Sequence, residues 1–535
     1  MDKLRRFVKH PDFPLLILLA AAALLGLVIM DDYGASWDEP QYYEYGEATL
    51  NAYSVTDRLN GTYDHEAVLG PGDLRYYGPA YLMAARGALA LLKPLFPRAM
   101  EIDVRHLVTY GCFLLGVLFF YRLALRWVSR PAAFVITLLY ASEPVLFGDA
   151  WINPKDTPLL VFFLGSFYFG LLFADHARAA FVEATPAGGG LKAAYRAYPR
   201  KWALAFNFVA TVVFIALACN LRLIGGLAAL MVAALWADRL GRKAVPVLLI
   251  GGLISVGLFF ALWPYLWQDT LPNLVGIFRR MSDFPEAKGV LYDGVLISSR
   301  DLPAGYLPRL LLMTLTEPAI LLWGAGLIAA AYRFIKKGPR RLEIALLLAW
   351  FFVPVLYVML IRPPLYDNYR HFLFILPAAF LVSGLALDWL YARLRGRLVQ
   401  VLIALLLLAP GLIDDVSLHP YQYAYYNRAS GGIQAAAHRY EVDYWLTCYR
   451  ALTEQMNAGE REPVDVYVML TPELVQMYAG PNLRVQYLPV EQPLPHGALA
   501  VLPLRWEHIL FYPDEPVAYR VQVQGVDLCV AKRIE

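Results

Sequence analysis

The chain has 535 residues, of which 59% are hydrophobic and only 17% are charged, and its mean hydropathy is +0.47. Because a soluble globular protein carries about a quarter charged residues, this composition excludes a single soluble enzyme. The formal net charge of +3 is small and dispersed, with no basic stripe of the kind that binds nucleic acid. Four cysteines are too few for a disulfide framework in a chain of this length.

Long apolar runs recur along the chain and indicate a polytopic α-helical membrane protein, because a helix needs about 20 apolar residues to cross about 30 Å of hydrocarbon. The stretch 76–96 is interrupted by Arg86, so we expect a juxtamembrane helix there and not a crossing. About eleven spans are predicted, at 13–30, 106–125, 131–148, 158–175, 203–219, 223–237, 244–265, 310–332, 343–361, 371–390 and 398–413.

The distribution of lysine and arginine predicts the orientation of these spans. Lys3, Arg5, Arg6 and Lys9 precede the first apolar run, which has no small-residue cleavage site behind it. The N-terminus is therefore predicted to be a retained anchor that begins in the cytoplasm. Eleven spans place the later basic clusters in the cytoplasm too, whereas a crossing at 76–96 would place them all outside. These clusters lie at 122–130, 178–201, 239–243, 333–341 and 393–397.

Two domains are predicted, a transmembrane domain at 1–413 with a long first outer loop at 31–105, and an extracytoplasmic tail at 414–535. The tail loses the long apolar runs and is predicted to form a small α/β domain. Cys448 and Cys529 both lie in the tail, and the sequence leaves open whether they pair. The tail's predicted elements are β-like segments at 465–470, 483–489 and 519–534 and a helix-like stretch at 444–458.

Asp38 and Glu39 follow the first span directly, in the sequence WDEP. A carboxylate near low-dielectric surroundings can act as a general base. The alternative is structural, with Asp38 capping an interfacial helix in which Pro40 occupies an early position. Both interpretations stay open on the sequence alone.

A second acidic pair, Asp149 and Asp156, lies in the loop 148–158 and by the predicted topology faces the same side as Asp38. This loop could supply a partner for a base, or hold a divalent cation through oxygen ligands. The spacing shows no complete ligand set, so no metal ligand is assigned. The alternative is a turn followed by a helix start at Pro158.

Six basic side chains lie near predicted span ends on the outer face. Such groups could bind a lipid-linked phosphate and stabilise it as it leaves. For any one of them alone, the alternative is a side chain that snorkels to lipid headgroups. Glu143 and Glu317 lie within or beside apolar spans, where a carboxylate is a candidate for function unless a kinked helix end exposes it to water. The six are Arg75, Arg105, Lys155, Arg222, Arg370 and His371.

Short motifs follow one another along nearly the whole membrane portion and into the tail. They are WDEPQYYEYG (37–46), RYYGP (75–79), VRHL (104–107), NPKDTP (153–158), WPYLWQD (263–269), LYDG (291–294), DLPAGYLP (301–308), TEP (316–318), DNYRHFLFILP (367–377), HPYQYAYYNRASGG (419–432) and YEVDYW (440–445). Their order and shared outer-face placement resemble the GT-C superfamily of polyprenyl-phosphate-dependent glycosyltransferases. The resemblance is to its branch of protein O-mannosyltransferases and the lipid A aminoarabinose transferase.

The resemblance implies roles for particular residues. Asp38 would be the catalytic base, with Glu39 beside it and Asp156 in the second acidic loop. Arg105 and Arg370 would contact the donor phosphate. The sequence departs from the family pattern in having Tyr-Gly-Pro at 77–79 in place of His-Pro-Pro, and Thr-Glu-Pro in place of a threonine-rich element.

Lys155, Arg222 and His371 are added to the predicted phosphate contacts because they are cationic groups at outer span ends. Tyr42 and Arg75, in two of the matching motifs, are predicted to contact substrate.

The resemblance implies an inverting hexosyl- or pentosyltransferase in a bacterial inner (plasma) membrane, with 1–413 as the catalytic domain and a periplasmic active site. Its partners would be a polyprenyl-phosphate sugar donor, membrane lipids, and an acceptor that is a protein, a lipid or a glycan. The alternative function is a transporter or flippase of a lipid-linked or anionic solute, which predicts paired halves with broken helices. A non-catalytic scaffold that binds through its tail is a third interpretation.

Overall fold

A computed structural model describes residues 13–70, 72–183, 190–282, 288–336, 340–394, 396–489 and 493–535. The basic residues Lys3, Arg5, Arg6 and Lys9, which support the predicted orientation of the N-terminus, lie outside the described ranges. Most of the described chain is helical. The α-helices are α1 Phe13–Ile29, α2 Glu39–Leu50, α3 Val55–Asn60, α4 Ala80–Leu92, α5 Glu101–Ala124, α6 Arg130–Ala141, α7 Pro144–Ile152, α8 Asp156–Ala177, α9 Leu191–Ala197, α10 Lys201–Leu221, α11 Gly226–Leu240, α12 Ala244–Ala261, α13 Thr270–Ser282, α14 Tyr306–Thr314, α15 Glu317–Ile335, α16 Arg341–Ile361, α17 Leu376–Arg393, α18 Arg397–Leu418, α19 Gly432–Ala436, α20 Cys448–Gly459 and α21 Pro472–Gln476.

The membrane part is a bundle of apolar helices, as the fold class predicted from the sequence requires. Among the described residues, eight helices are long and apolar enough to cross a membrane, and a ninth crossing results if the bent pair α6–α7 is one span. One of the eight, Leu223–Ala261, has 39 residues. It is interrupted at Gly241, where φ of +55° and ψ of −132° are not helical. The sequence predicts two separate spans here, at 223–237 and 244–265. The predicted number of eleven stays a prediction.

Two predicted spans are broken in the structure, each at a proline. The span predicted at 131–148 is the pair α6–α7, bent by 58° around Glu143 and Pro144. The span predicted at 310–332 begins only at Glu317, after α14 has ended at Thr314. Proline lacks a backbone N–H and restricts the preceding residue, so a new helix begins at each site.

The stretch 76–96 contains α4, a helix of 13 residues. This length is short for a crossing of about 30 Å, since a helix rises about 1.5 Å per residue. Helix α4 packs against α2 from the first outer loop and against α5. The end of the bundle that carries the first outer loop is thereby covered by two short helices.

Helix α8 has a group of charged side chains at each of its ends. Its first residue, Asp156, belongs to the group described in the next subsection. At its other end, Asp175 contacts Arg126 at 2.6 Å, and Arg126 donates two hydrogen bonds of 2.7 Å to the fully buried Glu343. Arg239, at the end of α11, contacts the same carboxylate at 2.6 Å. This second end is where the described residues of the predicted cytoplasmic clusters lie.

The tail forms an α/β domain around a five-stranded sheet with the order β4-β3-β5-β7-β6, in which β3 runs parallel to β4 and β5, and β7 runs antiparallel to β5 and β6. Helix α20 packs on β6 and β7, and Cys448 at its start forms a disulfide with Cys529 of β7. A short hairpin of β1 and β2, between α13 and α14 along the chain, contacts the tail, because the Trp506 indole donates to the Gly289 carbonyl at 2.8 Å. The strands are β1 Gly289–Tyr292, β2 Val295–Ser298, β3 Val464–Val468, β4 Leu483–Tyr487, β5 Leu499–Pro503, β6 Val517–Val523 and β7 Val526–Arg533.

Candidate active site

A cavity of about 560 Å³ opens at the end of the bundle where α8 begins. It lies between the first outer loop, the loop before α17 and the tail. Its polar wall includes Asp38, Arg370 and Lys288, and residues of α21 and its N-cap also line it. Its aromatic wall is formed by four side chains. They are Trp37, Tyr42, Tyr77 and Tyr366.

Asp38 lies at the start of α2, which begins at Glu39 with Pro40 in its first turn. This is the helix start that the structural alternative predicts, but the Asp38 side chain makes no capping hydrogen bond. Its Oδ2 instead accepts hydrogen bonds from the Tyr42 hydroxyl at 3.2 Å and from Arg370 Nη2 at 3.2 Å. The side chain is 23% exposed, so the carboxylate is presented to the cavity while the backbone starts the helix.

Arg370 connects three carboxylates and is almost completely buried. It contacts Asp367 at 2.8 Å, Asp38 at 3.2 Å and Asp156 at 3.3 Å. The preceding loop has two consecutive left-handed residues, Asp367 at φ +56° and Asn368 at φ +59°. Aspartate and asparagine adopt this conformation more readily than other side chains. The guanidinium also lies 4.5 Å from the centre of the Trp445 ring, which adds a cation–π contact from the tail.

Asp156 is the first residue of α8, where the helix dipole favours a negative charge. Its Oδ1 accepts from Arg222 Nη2 at 2.7 Å and Nε at 2.9 Å. The Asn153 Oδ1 accepts from the backbone N–H of this first helical residue at 2.9 Å. Arg222 lies just after the end of α10, and its partner Asp156 is a buried carboxylate.

Lys155 lies behind the aromatic wall. Its Nζ is 3.0 Å from the centre of the Tyr77 ring and donates to the Tyr42 hydroxyl at 3.3 Å. Burial and the nearby Arg222 hold the pKa of this ammonium well below its usual value, although Asp156 opposes the shift. Burial also raises the pKa of Tyr42, which therefore stays protonated and donates to Asp38.

Glu39 is not part of this group, although the sequence places it beside Asp38. It is fully buried and accepts hydrogen bonds from the backbone N–H of Ser36 at 2.7 Å and from the Tyr43 hydroxyl at 2.7 Å. His106 lies 3.1 Å from the same carboxylate. Glu39 therefore connects the first outer loop to α5.

Arg105 and Arg75 also lie outside the cavity wall. Arg105 contacts Glu101 and Glu47 and packs 4.2 Å from the centre of a tyrosine ring on α2. Arg75 pairs with Glu66 at 3.2 Å near the surface. The geometry gives neither of them a contact with Asp38, Asp156 or Arg370.

Three further candidates do not line the cavity. His371 is half-buried, and its ring packs edge-on against Tyr366, which lines the cavity. Asp149 is fully buried and accepts from Asn153 Nδ2 at 2.9 Å, so it holds the side chain that contacts the first residue of α8. Glu143 accepts two hydrogen bonds of 2.8 Å from Thr316 and joins the break in α6–α7 to the start of α15.

Several residues of the site were not singled out from the sequence. Asp367 stood only within a matching motif, and its Asp-Asn pair is a turn signal that could have indicated a special loop before Arg370. Trp445 and Arg505 belong to the tail. Trp445 stood only within the motif YEVDYW, and no local pattern points to Arg505. They approach the site only because the tail packs on the bundle.

The described residues contain no group of three or more histidine, cysteine, aspartate or glutamate side chains that could hold a metal ion. Asp38 and Asp156 are already engaged by arginines. No chemical step is assigned to a metal ion.

Glu441 joins the tail to the loop that carries Arg370, because its Oε2 accepts from the Asn368 backbone N–H at 3.2 Å. Burial raises the pKa of Glu441 to about 7, although Arg505 opposes the shift. A raised pKa in the folded state stabilises the fold fully at pH values below the ordinary glutamate pKa, and this contribution is lost as the pH rises through 7.

We therefore expect Glu441→Gln, which mimics the neutral form, to gain thermal stability relative to the wild type as the pH rises from about 5 to 8, by on the order of 2 kcal/mol. Melting curves in detergent across this range measure the difference. Glu462→Gln is the matched control, because it makes the same substitution at an exposed glutamate of the tail. A Glu441→Gln profile parallel to that of the wild type contradicts the assignment.

No protein-family model and no curated protein matches this chain. Among solved structures, it is similar to the lipid A aminoarabinose transferase ArnT from Cupriavidus metallidurans bound to undecaprenyl phosphate, with 14% identity, coverage of 96% of this chain and 97% of that chain, and a TM-score of 0.48. It is also similar to the Archaeoglobus fulgidus oligosaccharyltransferase in the apo form, with 15% identity, coverage of 90% and 62%, and a TM-score of 0.45. Half of the chain aligns with the S. cerevisiae protein O-mannosyltransferase Pmt1-Pmt2 complex bound to the sugar donor, at 16% identity, 34% coverage of that chain and a TM-score of 0.29.

All three are GT-C enzymes. They are of the class that the sequence motifs resemble. At identities of 16% or less and TM-scores of 0.48 or less, neither an activity nor a residue role transfers from them to this chain.

Proposed function

We propose that this protein is a membrane glycosyltransferase that moves a sugar from a polyprenyl-phosphate donor to an acceptor at the extracytoplasmic face, with inversion at the anomeric carbon. The observation that carries the proposal is the contact of Asp38 with Arg370 at the wall of one cavity. A carboxylate that can accept a proton thereby lies beside a cation that can hold a phosphate. Asp156 and Arg222 extend the same charged group to the ends of two apolar helices.

The chemistry follows from the leaving group. The donor is a phosphodiester monoanion, and its lipid monophosphate can leave as a dianion without taking up a proton. One base and a cationic cradle therefore suffice, whereas glycosidases require a general acid as well. Asp38 accepts the proton of an acceptor hydroxyl or amine as that group bonds to the anomeric carbon. The bond from this carbon to the phosphate oxygen breaks, and its electron pair stays on the phosphate.

Arg370 and Arg222 are the proposed contacts of the departing phosphate. Charge-assisted hydrogen bonds from a guanidinium fork suit phosphate oxygens. When a phosphate occupies Nη2 of Arg370, Asp38 loses a competing hydrogen bond and is free to accept the proton of the acceptor. Donor binding would in this way prepare the base.

The aromatic wall supports a sugar as the ligand beside Asp38. Trp37, Tyr42, Tyr77 and Tyr366 line the cavity, and such rings combine an apolar face for the sugar ring with polar atoms at their edge. The acceptor is proposed to enter along the tail, because Thr471 and Glu473 form the tail's part of the same wall.

The packing beneath the site favours this proposal over a transporter. Phe163 stacks on Trp350 at 4.7 Å and lies 5.2 Å from Phe374, all in the buried core of the bundle. A solute would have to cross this aromatic layer, and Glu343 and its arginine partners occupy the far end.

Transfer assays with the purified protein test the proposal. The protein is incubated with a panel of polyprenyl-phosphate sugars, with protein, lipid and glycan acceptors supplied in turn. We expect consumption of one donor with release of polyprenyl phosphate, and inverted stereochemistry in the product. Failure to consume any donor with every acceptor, in a protein that binds no prenyl phosphate, would count against the function.

The disulfide gives a separate test of the proposed orientation. Disulfides persist in oxidising compartments such as the periplasm, and Cys448 and Cys529 pair in the tail. In a variant with Cys112→Ala and Cys219→Ala, we expect no labelling by a maleimide mass tag until the denatured protein is reduced, and two labels afterwards. Full labelling without reductant, in protein taken directly from cells, would place the tail in a reducing compartment.

A further inference from the structure

Arg505 reaches the active site from the tail. It follows strand β5, and its side chain is only 3% exposed. Its Nη2 contacts Asp367 Oδ1 at 2.6 Å, and its Nη1 donates to the backbone carbonyl of Tyr444. The guanidinium also lies 4.7 Å from the centre of the Trp37 ring, which lines the cavity, and 4.6 Å from the centre of the Trp506 ring.

Asp367 connects Arg505 with Arg370 through its two different oxygens. Oδ1 accepts from Arg505, while Oδ2 accepts from Nη2 and Nε of Arg370 at 2.8 and 3.1 Å. Burial opposes ionisation, but Arg505 and Arg370 lower the pKa of Asp367 to about 2. Asp367 is therefore a carboxylate at any physiological pH, and its orientation depends on both arginines.

We propose that Arg505 is a positioning residue for the donor phosphate, which makes the tail a structural part of the active site. By holding Asp367 from one side and Trp37 from the other, Arg505 fixes Arg370 in the orientation that faces Asp38 and the cavity. This inference rests on the proposed function, since it needs a phosphate as the partner of Arg370. It goes beyond that function in assigning a role to a residue that touches neither the cavity nor the substrate.

A positioning role and a merely structural role make different predictions. If Arg505 acts through Arg370, its loss weakens the binding of a phosphate group and leaves the contacts of the lipid tail unchanged. If Arg505 only stabilises the tail, its loss weakens phosphate-bearing and phosphate-free lipids alike, or neither of them. The pair of probes is therefore farnesyl phosphate and farnesol, which share the isoprenoid chain and differ in the phosphate.

The experiment compares the binding of both probes to the purified full-length protein and its variants. We expect Arg505→Met to weaken farnesyl phosphate binding by about tenfold or more, as for other groups that orient a ligating side chain, and to leave farnesol binding unchanged. Arg505→Lys, which keeps the charge, should recover part of the affinity. Arg520→Met is the matched control, because Arg520 is a half-exposed arginine on β6 whose partner Asp527 lies 3.8 Å away.

A second variant keeps the test valid if Arg505→Met does not fold. Asp367→Asn interrupts the same connection from the other side and should cause the same phosphate-specific loss. The double variant should lose no more affinity than the worse single one, because both act through one contact. Unchanged farnesyl phosphate binding in both single variants, equal losses for farnesol, or additive losses would overturn the inference. A wild-type protein that binds no farnesyl phosphate would instead overturn the proposed function itself, and this inference with it.

Discussion

Replacing Asp38 with asparagine is expected to lower the rate of sugar transfer by about a hundredfold or more, because a general base of this kind contributes at least that factor. The amide has nearly the same shape, and its oxygen can still accept from Tyr42 and Arg370. Arg370 also keeps Asp156 and Asp367 as partners, so no cation is left unpaired. Donor binding and the melting temperature should therefore change little.

The measurement is a single-turnover assay at saturating donor, together with a binding curve for farnesyl phosphate. Asp64→Asn is the matched control, since Asp64 lies exposed in the same outer loop. We expect the Asp38→Asn defect in the rate constant and not in the dissociation constant of the donor. Transfer at the wild-type rate would remove Asp38 from the role of base, and an equal loss of donor binding would make it a binding residue.

The membrane part of the fold could be predicted from the sequence because its signal is local. Apolar runs of sufficient length locate helices, and the positions of α8, α16 and α17 follow directly from them. The breaks within two predicted spans were more difficult to predict, since a proline such as Pro144 permits either one kinked helix that crosses or two separate helices. Strand β5 was missed, although all five of its residues are buried at the centre of the sheet. Its short apolar run carries no alternation by which a strand could be distinguished from a helix.

The residues that meet at one end of the bundle could be predicted from the topology. The direction in which a side chain points around its helix axis, and the contacts made by the tail, could not. Asp38, Asp156 and Arg370 meet because each begins a helical segment at the same end of the bundle. Glu39 is adjacent to Asp38 in sequence, but successive helical residues point about 100° apart, and it faces the core instead. Arg505 pairs with a residue 138 positions away, and no sequence pattern indicates such a contact.

Trp445 of the tail contacts both loops that carry the proposed catalytic groups. Trp445 stacks on Arg370, and the backbone N–H of Trp37 donates to the Trp445 carbonyl at 2.9 Å. The loop that carries the proposed base and the loop that carries the proposed phosphate ligand are thus both tied to the same tail residue. A substitution that displaces Trp445 would therefore affect the positions of both Asp38 and Arg370.

Arg370→Gln is expected to have the largest effect on stability, because Arg370 is shared by three carboxylates. Asp156 and Asp367 are at most 7% exposed, and each would keep only one arginine. Removing one partner from a buried ionic group typically costs about 3–5 kcal/mol. We expect a clear fall in melting temperature together with loss of farnesyl phosphate binding. Arg370→Lys should be intermediate, since a lysine keeps the charge but cannot contact all three carboxylates with a planar fork.

The pH dependence of this effect identifies its cause. Burial opposes the shift, but the arginines lower the pKa of Asp367 to about 2. A lowered pKa stabilises the fold above the ordinary aspartate pKa of about 4, and this contribution is lost as the pH falls toward 2. The difference in melting temperature between the wild type and Arg370→Gln should therefore be largest near pH 7 and should shrink as the carboxylates become neutral. Arg362→Gln, at an exposed position before the same loop, is the control. A difference that stays constant with pH would mean that Arg370 stabilises the fold by packing and not by its charge.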